Sequence, residues 1–172
     1  MTSTAFENRE TADLSSGGMF ALWCLRKRVY CLKQGEDPQE NLGHGFELAG
    51  IRSAMRDFEV LFKWLAQNAT RPIQLGDLKC GRVSPDEGLL LAALAAFQRQ
   101  DAASGRLLLG CFMPRVACLH AAPTAAKFAS ALTQAELPID LVEPQACVTE
   151  RRHPEDRRAA PSAAVPSSVL VH

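Results

Sequence analysis

Residues 48–65 read Leu-Ala-Gly-Ile-Arg-Ser-Ala-Met-Arg-Asp-Phe-Glu-Val-Leu-Phe-Lys-Trp-Leu. Within this stretch Leu48, Ile51, Met55, Phe58, Phe62 and Leu65 follow one another at spacings of 3, 4, 3, 4 and 3, which places them on one face of an α-helix. The opposite side carries Arg52, Arg56, Glu59 and Lys63, with Glu59 and Lys63 in the favourable i,i+4 order. An amphipathic helix of this kind needs an apolar partner, so the stretch predicts a helix packed against other helices.

Working outward, the neighbouring segments supply those partners. Residues 19–33 mix Phe20, Trp23, Cys24, Val29 and Leu32 with cations towards the C-terminal end, where the helix dipole favours them. Gly35 and Pro38 end that helix, and residues 36–45 read as a polar loop. On the other side, Thr70-Arg71-Pro72 closes the central helix, because the residue before proline avoids helical geometry. Residues 73–80 then alternate apolar and polar side chains about Gly76-Asp77, a pattern that admits a minor β-hairpin. Ser84-Pro85-Asp86-Glu87 combines a side-chain cap, a proline at the first helical position and the reciprocal glutamate of a capping box.

The helix it starts, through Leu89, Leu90, Leu91, Leu94 and Phe97, is apolar nearly all round and should lie at the centre. Short apolar segments follow at 107–113 and 116–121, the second broken by Pro123, and Thr124 can cap a last helix containing Phe128 and Leu132. Ile139, Leu141 and Val142 suit a short extended piece. The fold class expected is mostly α, a compact bundle of five or six helices. Its domain is expected over residues 18–148, between disordered segments at 1–17 and 149–172, where Ser, Gly, Pro and charge replace any helical period.

Composition limits the function classes. The chain has 172 residues, 47% of them hydrophobic, enough for one core. Nineteen basic and nineteen acidic side chains cancel, which argues against bulk nucleic-acid binding. The longest strongly apolar run, 89–97, is far short of the ~20 residues of a membrane helix, so no membrane insertion is expected. No export signal precedes the first helix, and six cysteines in such a chain suit a reducing, cytoplasmic compartment. Arginine outnumbers lysine by 14 to 5, a bias that GC-rich codon usage produces and that fits a bacterial source.

Candidate sites are scattered. Cys24 and Cys31, like Cys111 and Cys118, stand seven apart, which is about 10.5 Å along a helix and too far for both members of a pair to share one metal. A zinc or iron site is therefore expected only across helices, from Cys80, Cys111, Cys118 and His120, with His44 in Gly43-His44-Gly45 as a further ligand. The simpler reading makes these cysteines core residues and leaves the protein without a cofactor. Cys80 stands apart as a reactive thiol, because Lys79, Arg82 and the following helix start surround it with positive charge. Asp86 and Glu87 resemble a paired-acid motif but are accounted for by the capping box, and Arg26-Lys27-Arg28 reads as a solvated helix end. Phosphate-loop, dinucleotide, nucleophile-elbow and zinc-protease signatures do not occur. No catalytic residue is assigned.

These readings lead to a small, non-catalytic interaction protein of regulatory or adaptor type, with a protein partner or a further copy of the chain. A metal- or thiol-based redox sensor is the alternative, and an enzyme with a site built from scattered residues is the third class. The helical face itself is directly testable. Phe58→Ala should cost roughly 3 to 5 kcal/mol of stability and Arg56→Ala little, and equal denaturation midpoints for the two variants would refute the assigned face.

Overall fold

The computed structural model describes residues 9–140, and within them six α-helices pack into a compact bundle. They are α1 (Ser16–Gln34), α2 (Pro38–Leu48), α3 (Met55–Asn68), α4 (Pro85–Gln98), α5 (Ala102–Leu109) and α6 (Arg115–Gln134), with 3-10 turns at Thr11–Asp13 and Arg52–Ala54. The expected class holds, but several boundaries differ for physical reasons.

The segment read as a free arm is packed from residue 9 onward. Leu14 is buried, Thr11 N–H donates to the Gly81 carbonyl and Val83 N–H to the Arg9 carbonyl. The Ser15 hydroxyl oxygen accepts from Gly18 N–H at 3.2 Å, capping α1, and from Asp140 N–H at 2.9 Å. Gly17 lies so close to the Leu137 and Pro138 carbonyls that a Cβ there would clash with them. Ser15-Ser16-Gly17-Gly18 is thus a tight helix start against the chain that follows α6. The segment expected beyond residue 140, including Leu141, Val142 and the 149–172 tail, lies outside the described residues.

The polar loop expected at 36–45 is mostly helix. Asp37 accepts from Gln39 N–H at 2.8 Å and Pro38 occupies the first turn, so α2 starts well. Gly43-His44-Gly45 lies inside it, and a Cβ on Gly45 would meet the Trp23 ring at 2.5 Å. Gly45 permits close contact with α1, and Gly43 with the Arg52 side chain, rather than a turn. The 48–65 periodicity conversely spans a break: Gly50 takes φ 70°, and Leu48 ends α2 with 77% of its surface exposed. Ile51 and the four later residues of the series, Met55, Phe58, Phe62 and Leu65, are buried as the spacing predicts.

The centre is aromatic. Phe46, Phe58 and Phe128, from α2, α3 and α6, are fully buried with centroids 5.4 to 6.1 Å apart, a separation suited to edge and tilted ring contacts. The capping box starts α4 as expected, and α4 is buried on most sides against α1, α5 and α6. The last helix runs through Pro123. Pro123 is exposed and so is Leu119, whose carbonyl loses its intrahelical donor and can turn to water. Gln98 fixes the chain after α6 by donating to the Leu137 carbonyl at 3.0 Å and accepting from Ile139 N–H at 2.7 Å.

No hairpin forms at 73–80. The alternation is genuine, but the backbone donors go elsewhere: Gln74 N–H to Asp86 at 2.7 Å and Gly76 N–H to Glu87 at 2.8 Å. Glu87 is fully buried and Arg26 from α1 is 4% exposed. Arg26 Nε donates to Glu87 Oε1 at 2.7 Å and Nη2 to Oε2 at 2.9 Å, while Nη1 and Nη2 donate to the Cys80 and Arg82 carbonyls, each at 2.6 Å. Glu87 also accepts from Ser84 N–H at 2.8 Å. Far from being part of a solvated helix end, Arg26 holds a 60s-to-80s loop onto the bundle. Nearby, Arg71 grips Asp86 through both Nη atoms at 2.6 and 2.9 Å.

Burial alone pushes the Glu87 carboxyl up, but the Arg26 guanidinium and the Ser84 and Gly76 N–H groups outweigh it and hold it below the usual carboxylate value. Arg71 chiefly, with Gln74 N–H and against partial burial, does the same for Asp86. Groups lowered in the folded state stabilise it above the unfolded carboxylate pKa of about 4 and lose that contribution as pH falls through the folded value. Glu87→Gln should therefore cost about 3 to 5 kcal/mol at neutral pH, the cost of stranding a buried charge, and flatten the acid limb of the stability curve below about pH 5. Urea titrations of both proteins from pH 7 to pH 3 check this, and an unchanged acid limb would remove Glu87 from the argument.

Candidate interaction groove between helices α5 and α6

Helix α5 begins where Asp101 accepts from Ser104 N–H at 3.0 Å and ends at Gly110. In the run Leu107-Leu108-Leu109 only Leu109 is fully buried, because Gly105 lets α5 press directly onto the Phe97 ring. Leu107 is left 75% exposed. Pro114, in extended geometry, turns the chain into α6, whose outer side presents Val116 and Leu119, 68% and 56% exposed. Between the helices lies a groove of about 680 Å³ floored by Met113, Cys111 and Cys118, walled by Leu107 and Leu119, and flanked by Arg106 and Arg115. No carboxylate of the described residues lines it.

The corner beneath the groove is anchored. Phe112 is fully buried, its carbonyl accepts from Thr70 N–H at 2.8 Å and Thr70 Oγ1 at 3.1 Å, and Arg71 lies over its ring at 5.2 Å. The same Arg71 holds Asp86, so the groove's base and the start of α4 share one support.

The expected metal ligands are not assembled. Cys111 and Cys118 meet in this groove, His120 stacks on Trp64 of α3 at 5.3 Å with a 10° interplanar angle, and Cys80 lies in the loop held by Arg26. His44 sits exposed on α2. Among the described residues no three His, Cys, Asp or Glu side chains are grouped as a metal site would require. Asp86 and Glu87 are likewise spent on arginines and backbone N–H groups. Burial pushes the Cys24, Cys31 and Cys118 thiols up, whereas Cys80 is exposed.

Arg106, Leu107, Arg115 and Leu119 were not singled out by sequence. The available signal was three consecutive leucines on a short helix, of which a helical period can bury only part. Compared with protein families, with curated proteins and with solved structures, the chain matches none of them.

Exposure orders the thiols. Among the five cysteines of the described residues, Cys80 should be alkylated first by iodoacetamide under native conditions, Cys111 next, and Cys24, Cys31 and Cys118 only on unfolding. Peptide mass mapping over time measures the order, and early labelling of Cys24 would contradict the packing of α1.

Proposed function

We propose that this protein is a non-catalytic adaptor or regulatory protein that takes an acidic, amphipathic helix of a partner protein into the α5–α6 groove. The observation that carries this reading is the combination of two exposed apolar side chains lining the groove, Leu107 and Leu119, with Arg106 and Arg115 and no lining carboxylate among the described residues. Apolar side chains that adjoin in one exposed groove, unlike ones scattered singly, mark interaction surfaces, and a partner helix laid in such a groove contributes apolar residues at i, i+3, i+4 and i+7. Two arginines without a carboxylate partner among the described residues favour glutamate and aspartate beside those anchors. A second copy of the chain fits less well, since it brings the same two arginines to the contact.

A binding role rather than catalysis is supported by the state of the acid pair. Asp86 and Glu87 are saturated with hydrogen bonds and held as carboxylates, the reverse of the raised value that a general acid at neutral pH requires. Their work is structural.

A labelled 18-residue amphipathic peptide with leucine anchors and glutamates elsewhere tests the reading by fluorescence anisotropy, beside the same peptide with lysines. The glutamate peptide should bind and the lysine peptide should not. Leu107→Asp with Leu119→Asp should abolish binding, and Arg106→Glu with Arg115→Glu should invert the preference. Equal binding of both peptides, or binding that survives the leucine substitutions, would refute the groove.

A further inference from the structure

A second groove lies elsewhere, along α3 where α1 ends and α2 begins. It encloses about 610 Å³, and its charged lining is Arg28, Arg52, Arg56 and Lys63 against a single carboxylate, Glu59. That carboxylate is already committed: Arg28 Nε contacts both Glu59 oxygens at 3.0 Å. The i,i+4 pair of Glu59 with Lys63 therefore does not form, and Arg56 and Lys63 have no anionic partner among the described residues. Among the described residues Arg52 is held by one carboxylate, that of exposed Glu47, at 2.8 Å.

Arg56, Val60 and Lys63 share one side of α3. Seven residues separate the two cations, about 10.5 Å of helix axis, a span that two long side chains can close around one anion. Val60 lies between them and Leu32 faces it from α1, so apolar surface adjoins the charge. We infer that this groove binds a phosphorylated side chain in a partner protein segment, with Arg56 and Lys63 on the phosphoryl group and a neighbouring apolar residue on Val60 and Leu32.

The guanidinium fork suits a phosphoryl group's oxygens, and the dianion outcompetes Glu47 for Arg52 where a single carboxylate gains less. Nucleic acid is disfavoured because single-stranded bases need a bare aromatic platform, and the one ring here, Phe62, is covered by Arg28 at 5.0 Å. A bilayer surface is disfavoured because the cations line a concavity, which a flat array of headgroups does not enter.

The test uses the full chain and a labelled nonapeptide with one phosphoserine flanked by leucines, its serine counterpart, inorganic phosphate as competitor, and vesicles of phosphatidylcholine with phosphatidylserine. The phosphopeptide should bind at least tenfold tighter than the serine peptide, weaken with salt, and be displaced by inorganic phosphate only at far higher concentration. Arg56→Ala with Lys63→Ala should erase the preference at unchanged melting temperature, whereas Arg106→Ala with Arg115→Ala should preserve it, which separates this site from the α5–α6 groove. Equal affinity for the two peptides, or a preference that survives Arg56→Ala with Lys63→Ala, would overturn the inference. So would vesicle binding that the phosphopeptide does not compete, which would make the groove a lipid surface.

Discussion

Everything between α3 and α4 depends on one buried ion pair, Arg26 with Glu87. A sixteen-residue connection without regular structure, from 69 to 84, has backbone donors and acceptors that need partners wherever it touches the bundle. The pair supplies them: Glu87 accepts from Gly76 and Ser84 N–H, and Arg26 donates to the Cys80 and Arg82 carbonyls. Desolvating two charges is costly, and the hydrogen bonds that each makes to the loop are what offset that cost. The pair therefore specifies where the loop lies as much as it stabilises the fold.

The consequence extends to the α5–α6 corner. Arg71, which enters the same loop, links Asp86 at the start of α4 to the Phe112 ring, and Thr70 holds the Phe112 carbonyl. Short helices such as α5, with eight residues, have little stability of their own. Its position comes from Gly105 against Phe97 and from this loop. A groove built on so short a helix keeps its shape because the loop is pinned.

The parts of this fold legible in sequence were those decided locally. The α3 face, the Ser84 capping box and the all-round apolar α4 follow from spacing and hydrogen bonds within one turn. What was not legible depends on what lies opposite. Gly17, Gly43 and Gly45 look like loop formers, yet serve close contacts with residues at 137, 52 and 23. Leu48 completes a helical period by coincidence, because Gly50 in the left-handed region turns the chain before Ile51. Pro123 suggests a break that an exposed helix side tolerates. Residues 73–80 have strand alternation, but nothing in them tells that Asp86 and Glu87 will take their N–H groups. The candidate site was less legible still: sequence pointed to cysteines and histidines, while the groove is defined by which leucines the core leaves outside.

Charge illustrates the same dependence on placement. Acids and bases are equal in number over the chain, a balance that excludes a strongly basic protein but says little about any one surface. In the bundle, carboxylates are drawn to fixed internal duties: Glu87 and Asp86 to arginines and the loop, Glu59 to Arg28, Asp37 and Asp101 to helix N-termini. Each such carboxylate sits where N–H groups or a guanidinium stabilise it, and among the described residues this leaves cations such as Arg56, Lys63, Arg106 and Arg115 without an ion-pair partner in the two grooves. A neutral composition thus yields cationic concavities, and since screening confines exposed charges to a range of about 8 to 10 Å, it is this local excess rather than the zero sum that an approaching partner meets.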